Sequence, residues 1–363
     1  MFNWIEDLNT FLLVLVFIVG LVLIIKGGDI FVDSAGWIAE KSGIPKFIIG
    51  ATIVSFVTTL PELVASIIGT VEGSLGLAVG NAIGSVTANT GLIMSISIIF
   101  MPAVIKRSQY AFKTILLMLI TLILGLCLLN GHLALWQSIV VILFCIIFMV
   151  ENVLSAKAMT EKPVLEEETS KEEAKEDESE QESSKGGFVD SLKYIFSFGG
   201  EDKFSNKTTI IFNIIKFVLG GVGIYFGAKL LVDKGVALAT ILHISEDVIG
   251  LTLVAIGTSL PELVTTITAI AKKQSSLSVG NIVGANIIDM SLILPICGFV
   301  SGGTLILDSM QTAYLDIPVS LSLMLIAFIP TLITRKFQRW QGILMLAIYI
   351  AYLVVICIGV LPW

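Results

Sequence analysis

The sequence predicts an all-α polytopic membrane protein, with about ten transmembrane helices arranged as two inverted five-helix repeats. Composition, the length of the apolar blocks and a motif written twice carry that prediction. Of the residues, 55% are hydrophobic and 14% charged, and the mean hydropathy is +0.95. A soluble domain holds roughly 45–50% apolar and about 25% charged residues, so this chain falls in the membrane class. Its apolar blocks match the ~20 helical residues that cross a hydrocarbon core of ~30 Å. Lipid offers the backbone no hydrogen-bond partners, which leaves helices or a closed barrel. Period-two alternation is absent and the blocks are too long for barrel strands. The spans are therefore helical.

Hydropathy places the spans at 10–36, 47–71, 75–101, 114–130 and 135–156, then at 208–238, 247–271, 278–301, 316–334 and 340–361. The first and sixth carry interior charges: Lys26, Asp29 and Asp33 in one, Lys229, Asp233 and Lys234 in the other. Helices so charged are expected to meet water or a partner along part of their length. One set of short loops holds Lys41, Lys46, Lys106, Arg107, Lys113, Lys272, Lys273, Arg335, Lys336 and Arg339. The opposite set, around Glu72 and over 130–136, 243–247 and 301–316, has no Lys or Arg. The positive-inside rule puts the first set in the cytosol and both termini outside. The N-terminus (MFNWIEDLNT) lacks a basic region before its apolar run, so no cleavable signal is expected and the first stretch stays as a span.

Residues 157–207 separate a first transmembrane repeat (1–156) from a second (208–363). They contain EEETSKEEAKEDESEQESSK, where like charge and scarce apolar residues predict a disordered acidic linker on the cytosolic side. Five spans per half is an odd number, so the second half enters the bilayer upside down. Such inverted repeats place ion sites near the midplane, where the halves meet. The four cysteines lie singly in apolar runs, and His132 and His243 fall in short loops. No disulfide framework, histidine-held metal, prosthetic group or nucleic-acid partner is expected.

The chemistry lies in residues 50–89 and 250–289. The first reads GATIVSFVTTLPELVASIIG, then GNAIGSVTAN; the second reads GLTLVAIGTSLPELVTTITA, then GNIVGANIID. The offset is constant, since 262 − 62 and 289 − 89 both equal 200. Pro61 and Pro261 lack an N–H and crowd the carbonyl four residues back, so the carbonyls near Val57 and Gly257 are loosened. Thr58 and Glu62 are four apart and so share a helical face, as do Thr258 and Glu262. Carboxylate, hydroxyl and carbonyl oxygens are hard ligands, suited to calcium or sodium. A charge at a helix centre costs roughly 2.5–3.5 kcal/mol on insertion scales. No Lys or Arg is near in sequence to pair with either glutamate, so a cation is the natural partner. Behind them, Asn81, Ser85 and Asn89 form one polar stripe, and Asn281, Ala285 and Asp289 its counterpart.

GTSLPE at 257–262 and GNIVGANIID at 280–289, with looser matches at 57–62 and 80–89, resemble the α-repeats of the sodium/calcium exchanger family, in its prokaryotic form. The resemblance is strong over the four central spans and extends through topology to nearly the whole chain. It implies a multi-pass protein of a prokaryotic cell membrane, not an enzyme, that exchanges calcium for sodium within one chain. By that resemblance Glu62, Glu262, Thr58 and Thr258 hold calcium. Thr59, Ser259, Ser85, Asn89, Asp289 and the carbonyls of Ser55 and Ala255 complete sodium and water sites. The chain departs from the pattern at Val57, Val86 and Ala285, the last where relatives commonly offer a serine. Proton coupling is the alternative; Asp289, where proton-coupled relatives tend to have an amide, favours sodium. A cation channel and an intramembrane hydrolase are the rivals from other classes. The single-chain site argues against the first, and the Thr-x-x-x-Glu faces argue against the second.

Overall fold

The computed structural model describes residues 3–41, 55–102, 104–105, 107–160, 206–242, 244–271, 275–307 and 309–358. The acidic linker lies outside the described residues, apart from its first four and last two, and so does the start of the second expected span. The first half contains α1 (Asn3–Lys41), α2 (Ser55–Thr58), α3 (Leu60–Val71), α4 (Leu75–Ala88), a π-helical turn (Asn89–Met94) and α5 (Ser95–Phe100). It continues through α6 (Arg107–Leu128), the short strand β1 (His132–Ala134) and α7 (Leu135–Thr160).

The second half has a similar order of helices, but its strand precedes the fourth span where β1 follows it. It runs through α8 (Asn206–Leu242), α9 (Glu246–Ile249), a π-turn (Gly250–Val254), α10 (Ala255–Thr258) and α11 (Leu260–Ala271). There follow α12 (Ser275–Ile288), a π-turn (Asp289–Ile293), α13 (Leu294–Val300) and β2 (Thr304–Ile306). A fourth π-turn (Thr312–Asp316), α14 (Ile317–Thr334) and α15 (Arg339–Ile358) end it.

Eight of the described helices are long and apolar enough to cross a membrane, and a ninth span is broken by 41° between α10 and α11. The expected span at 47–71 is described only as α2 and α3, broken at Thr59 as its counterpart is at Ser259. Pro61 and Pro261 cause both breaks, because each removes one rung of the helical hydrogen-bond ladder. Two expectations are corrected in detail. The span expected at 114–130 is Tyr110–Leu128, and its helix begins at Arg107, because polar residues with basic ends continue the helix beyond the apolar run. His132 sits not in an irregular loop but in β1, which pairs antiparallel with β2 and places His132 opposite Ile306.

Burial separates central helices from peripheral ones. The spans Leu75–Phe100 and Ser278–Val300 are 78% and 83% buried, against 28–39% for the other unbroken spans. These two carry the Gly-Asn motifs. The peripheral helices turn large apolar side chains outward, among them Phe11 and Ile18 on α1, Ile146 on α7 and Val218 on α8. Such faces match lipid.

Helices α1 and α8 cross backbone to backbone. A Cβ added at Gly20 would lie 3.0 Å from the Gly227 carbonyl oxygen, and one at Gly27 would lie 2.8 Å from the Ile224 nitrogen. Residue numbers rise along one helix as they fall along the other, so the pair is antiparallel. Small residues permit this approach where van der Waals packing holds helices together in lipid. The buried apolar residues of α1 and α8 join only a smaller cluster with α3, Leu77, Ile249 and Val254. Neither helix adds a buried residue to the larger core built from α4, α6, α7 and α12 to α15.

A second close crossing sets α4 against the π-turn 250–254. A Cβ at Gly84 would lie 2.7 Å from both Leu251 Cα and Ala255 Cβ. Because the obstacle is largely backbone, Gly84→Ala is expected to force the two elements apart. The cost is about 1–3 kcal/mol, the usual range for overpacking, and would appear as a lowered midpoint of thermal unfolding in detergent. Gly280→Ala, on a helix and with no atom within 4 Å of the added Cβ, serves as the comparison.

Candidate ion-binding site

The two broken spans carry Glu62 and Glu262 into the middle of the bundle, each only 1% exposed. Their helices start afresh just before the glutamates, with proline in the first turn, so each carboxylate sits beside a helix N-terminus. Ser259 of the second half donates its hydroxyl to Glu62 Oε1 at 3.2 Å. Glu62 Oε2 and both oxygens of Glu262 have no hydrogen-bond donor. Thr258 faces Glu62, and Thr58 faces Glu262.

The helix break thus changes the pairing expected from spacing. Neither threonine hydrogen-bonds the glutamate four residues on in its own helix; Thr58 donates to the Ser55 carbonyl and Thr258 to the Ala255 carbonyl or Asn81 Oδ1, each beside the glutamate of the opposite half. A continuous helix would align residues four apart, but the break after Thr58 and Thr258 interrupts that register.

Around the pair, Thr59 Oγ1 donates to the Ser55 carbonyl at 2.7 Å, and Thr58 Oγ1 reaches the same oxygen at 3.3 Å. The Ala255 carbonyl accepts the Thr258 hydroxyl at 3.2 Å and the Ser85 hydroxyl at 3.5 Å. Both carbonyls that the resemblance assigns as ligands therefore lie among hydroxyls. Asn89 is wholly buried, and neither its amide oxygen nor its nitrogen has a partner. Asp289 is 2% exposed with Oδ1 unpartnered, and it lies within the electrostatic reach of both glutamates. Ala285 is buried where Ser85 stands in the other half, and it offers no oxygen from its side chain.

Among the described residues, the ion pairs join Lys26 to Asp29, Lys113 to Glu151, and Lys229 to Glu72 and Asp233. None touches Glu62, Glu262 or Asp289. Nor do three His, Cys, Asp or Glu side chains converge as a metal centre among the described residues. The arrangement is instead two carboxylates from opposite halves, supplemented by hydroxyls, carbonyls and amides. Oxygen donors of mixed charge suit a hard cation that sheds its water on entry.

Two residues outside the predicted ligand set organise the crossing. Asn81 Nδ2 donates to the Glu62 carbonyl at 3.0 Å and to Ser66 Oγ at 2.9 Å, and its Oδ1 accepts from Thr258 at 3.1 Å. It ties α3, α4 and α10 together. Asn281 only accepts from Ser55 Oγ at 3.2 Å, and its Nδ2 is unpartnered. The Gly-Asn motif itself marked both positions; helical spacing could not show that Asn81 reaches across the halves. Asn81→Ala removes three buried hydrogen bonds at once, each worth about 0.5–1.5 kcal/mol net, although Ser66 and Thr258 keep the Ala78 and Ala255 carbonyls as acceptors. It is therefore expected to lower thermal stability clearly more than Asn281→Ala, measured side by side by unfolding in detergent.

Buried carboxylate, hydroxyl, carbonyl and amide oxygens at the crossing of broken helices define a polytopic helical membrane protein with an oxygen-rich centre suited to hard cations. The family model described as "Sodium/calcium exchanger protein" matches residues 12–153 and 212–358. The sodium/calcium exchanger MaX1 of Methanosarcina acetivorans is 32% identical over 377 aligned positions, covering 94% of this chain and 97% of that protein. An uncharacterised membrane protein of Methanocaldococcus jannaschii is 30% identical, covering 92% of this chain and 94% of that protein. A solved structure of the sodium-calcium exchanger NCX_Mj, soaked with Na⁺ and Sr²⁺, superposes with a TM-score of 0.61 at 27% identity, covering 97% and 99% of the two chains. The chain belongs to the sodium/calcium exchanger family. It is a multi-pass membrane transporter, not an enzyme.

Proposed function

We propose that this protein exchanges calcium for sodium across the membrane by alternating access. The observation that carries the reading is the meeting of Glu62 and Glu262 from opposite halves, fully buried, with three of their four carboxylate oxygens lacking a donor. Two carboxylates balance one Ca²⁺. In this reading Glu62, Glu262, Thr58 and Thr258 hold calcium. Thr59, Ser259, Ser85, Asn89, Asp289 and the carbonyls of Ser55 and Ala255 serve sodium and ordered water. A ligand set shared by both ions enforces exchange, because bare carboxylates facing each other in an apolar interior are costly.

Movement falls to α1 and α8. They form an antiparallel pair, they are bound to the rest through the smaller apolar cluster, and Gly257 gives room to Leu21 of α1. Sliding of that pair past the central helices would open the site to one side, then the other. The antiparallel crossing supports two halves of opposite orientation, and the distribution of Lys and Arg over the short loops is what supports termini outside and the acidic linker in the cytosol.

Proteoliposomes loaded with sodium and placed in sodium-free buffer with radioactive calcium provide the test. Calcium is expected to accumulate while the sodium gradient lasts, and to stay outside when potassium or choline replaces sodium. Accumulation driven by a pH gradient and indifferent to sodium would replace sodium with protons as the coupling ion. Uptake that ignores both gradients would overturn exchange altogether.

A further inference from the structure

One buried carboxylate lies outside the site described above. Asp316 ends the fourth π-turn and precedes α14, with a relative exposure of 0%. Its Oδ1 accepts hydrogen bonds from the Tyr352 hydroxyl at 2.9 Å and from Gln311 Nε2 at 3.3 Å, while Oδ2 is buried with no partner. No ion pair among the described residues reaches it. A clasp between the π-turn and α15 needs only an amide or hydroxyl at this position. An acid within a spanning segment costs more than either, and such residues are functional by default.

We propose that Asp316 is a further proton-binding site, set at the end of the bundle that carries β1 and β2 and separate from the Glu62–Glu262 pair. A proton fits the surroundings better than a metal ion does. The two groups hydrogen-bonded to Oδ1 are donors, and a metal ion asks for about six oxygens where this carboxylate has one oxygen to spare. A proton needs one. Three other π-turns among the described residues begin at Asn89, begin at Asp289 and end beside Ala255. Turns of this kind gather at functional sites, and the fourth ends on Asp316.

Two short connections run from Asp316 to the Asn89 turn. Its carbonyl accepts the Ser320 hydroxyl at 2.9 Å, and Ser320 shares a 2.5 Å hydrogen bond with Thr87, two residues before Asn89. On the other side Tyr352 lies 6.4 Å from Tyr349, centroid to centroid, and the Tyr349 ring packs where a Cβ at Gly91 would be 2.8 Å away. Ionised Asp316 draws in Tyr352; protonated Asp316 holds it less tightly. The link from protonation to ion exchange rests on the function proposed above, whereas proton binding itself does not.

The titratable groups on the packed elements are few, and the π-turn itself adds only the half-exposed Tyr314. Helix α15 brings Tyr349, Tyr352 and Cys357, and α6 brings Cys127 at the end where Gly125 meets Ile317. Arg107, Tyr110 and Lys113 on α6, and Arg339 on α15, stand toward the opposite ends of those helices. Helices α4 and α14 present no titratable side chain.

Infrared difference spectroscopy on the full chain in lipid, titrated with acid, reads the site without any transport. The expected result is a carboxylic C=O band that grows on acidification and is missing from Asp316→Asn. If Asp316→Asn does not assemble, Tyr352→Phe takes its place. That variant removes a donor to the ionised form, so the band should grow in at higher pH. The same titrating bands in wild type and Asp316→Asn, or a Tyr352→Phe titration identical to wild type, would overturn the proposal. So would an Asp316 band unchanged over the whole pH range in which the protein stays folded. Loss of sodium-driven uptake from the wild type would instead count against exchange and leave this site standing.

Discussion

Glu62→Gln and Glu262→Gln are each expected to abolish calcium exchange while leaving the protein folded. Glutamine keeps the volume and hydrogen-bonding length of the side chain, so the packing around α3 and α11 is preserved. What is lost is half of the charge that meets a divalent ion in a site with no other carboxylate in direct contact. Breaking a buried charge pair by removing one partner costs roughly 3–5 kcal/mol, which is a factor of more than ~100 in affinity. Stability supplies a second readout with the opposite sign. Without ions, two facing buried carboxylates repel and are poorly solvated, so neutralising one should hold or raise the thermal midpoint. With calcium at about 100 times its dissociation constant, the wild type gains ~2.7 kcal/mol of stability by mass action. The variants should gain almost none. A variant that still shows the full calcium-induced shift would remove that glutamate from the site.

Asp289→Asn is expected to separate the two ions. Asp289 is buried within the field of both glutamates, and its counterpart in the first half is Asn89. The variant makes those two positions alike. Calcium–calcium exchange, which needs only the Glu62–Glu262 pair, should survive. Sodium-driven uptake should require roughly 10-fold more sodium or more, since hydrogen bonds and contacts to a charged group are worth about 1.5–3 kcal/mol. Ala285→Ser adds a hydroxyl one helical turn before Asp289 and should shift the sodium requirement the other way. Sodium titrations of calcium uptake, run beside calcium–calcium exchange in the same vesicles, check both. If Asp289→Asn slows the two modes equally, the residue shapes the calcium site and has no selective part in coupling.

Much of this site was legible in one dimension because membrane burial is so restrictive. Glu62 and Glu262 stood out since an acid in an apolar span is costly, and the shared offset tied each to its twin. Asn81 was visible as part of a motif and as one face of a stripe, but its three partners lie on two other helices. Asp316 went unmarked. It stands at the start of a span next to a polar loop, where hydropathy treats an acid as a boundary. Only folding places Gln311 and Tyr352 against it and buries it completely. The π-turns were invisible for a related reason: an i→i+5 bond leaves no mark in a hydropathy pattern.

The sequence by itself determined the membrane class, the helical spans, the two-fold repetition and the identity of the central carboxylates. Each follows from local physics: lipid cannot hydrogen-bond to a backbone, proline cannot donate, and charge cannot be buried freely. The tertiary structure alone decided which residues from opposite halves meet. Thr58 and Thr258 look like partners of their own glutamates as long as the helix is imagined continuous. The breaks at Thr59 and Ser259 set them beside the glutamate of the other half instead, where Ser259 donates to Glu62 while neither oxygen of Glu262 has a donor. Close crossings at glycine, set by backbone approach between distant segments, fix that exchange of partners. A linear reading records the glycines but not what they touch.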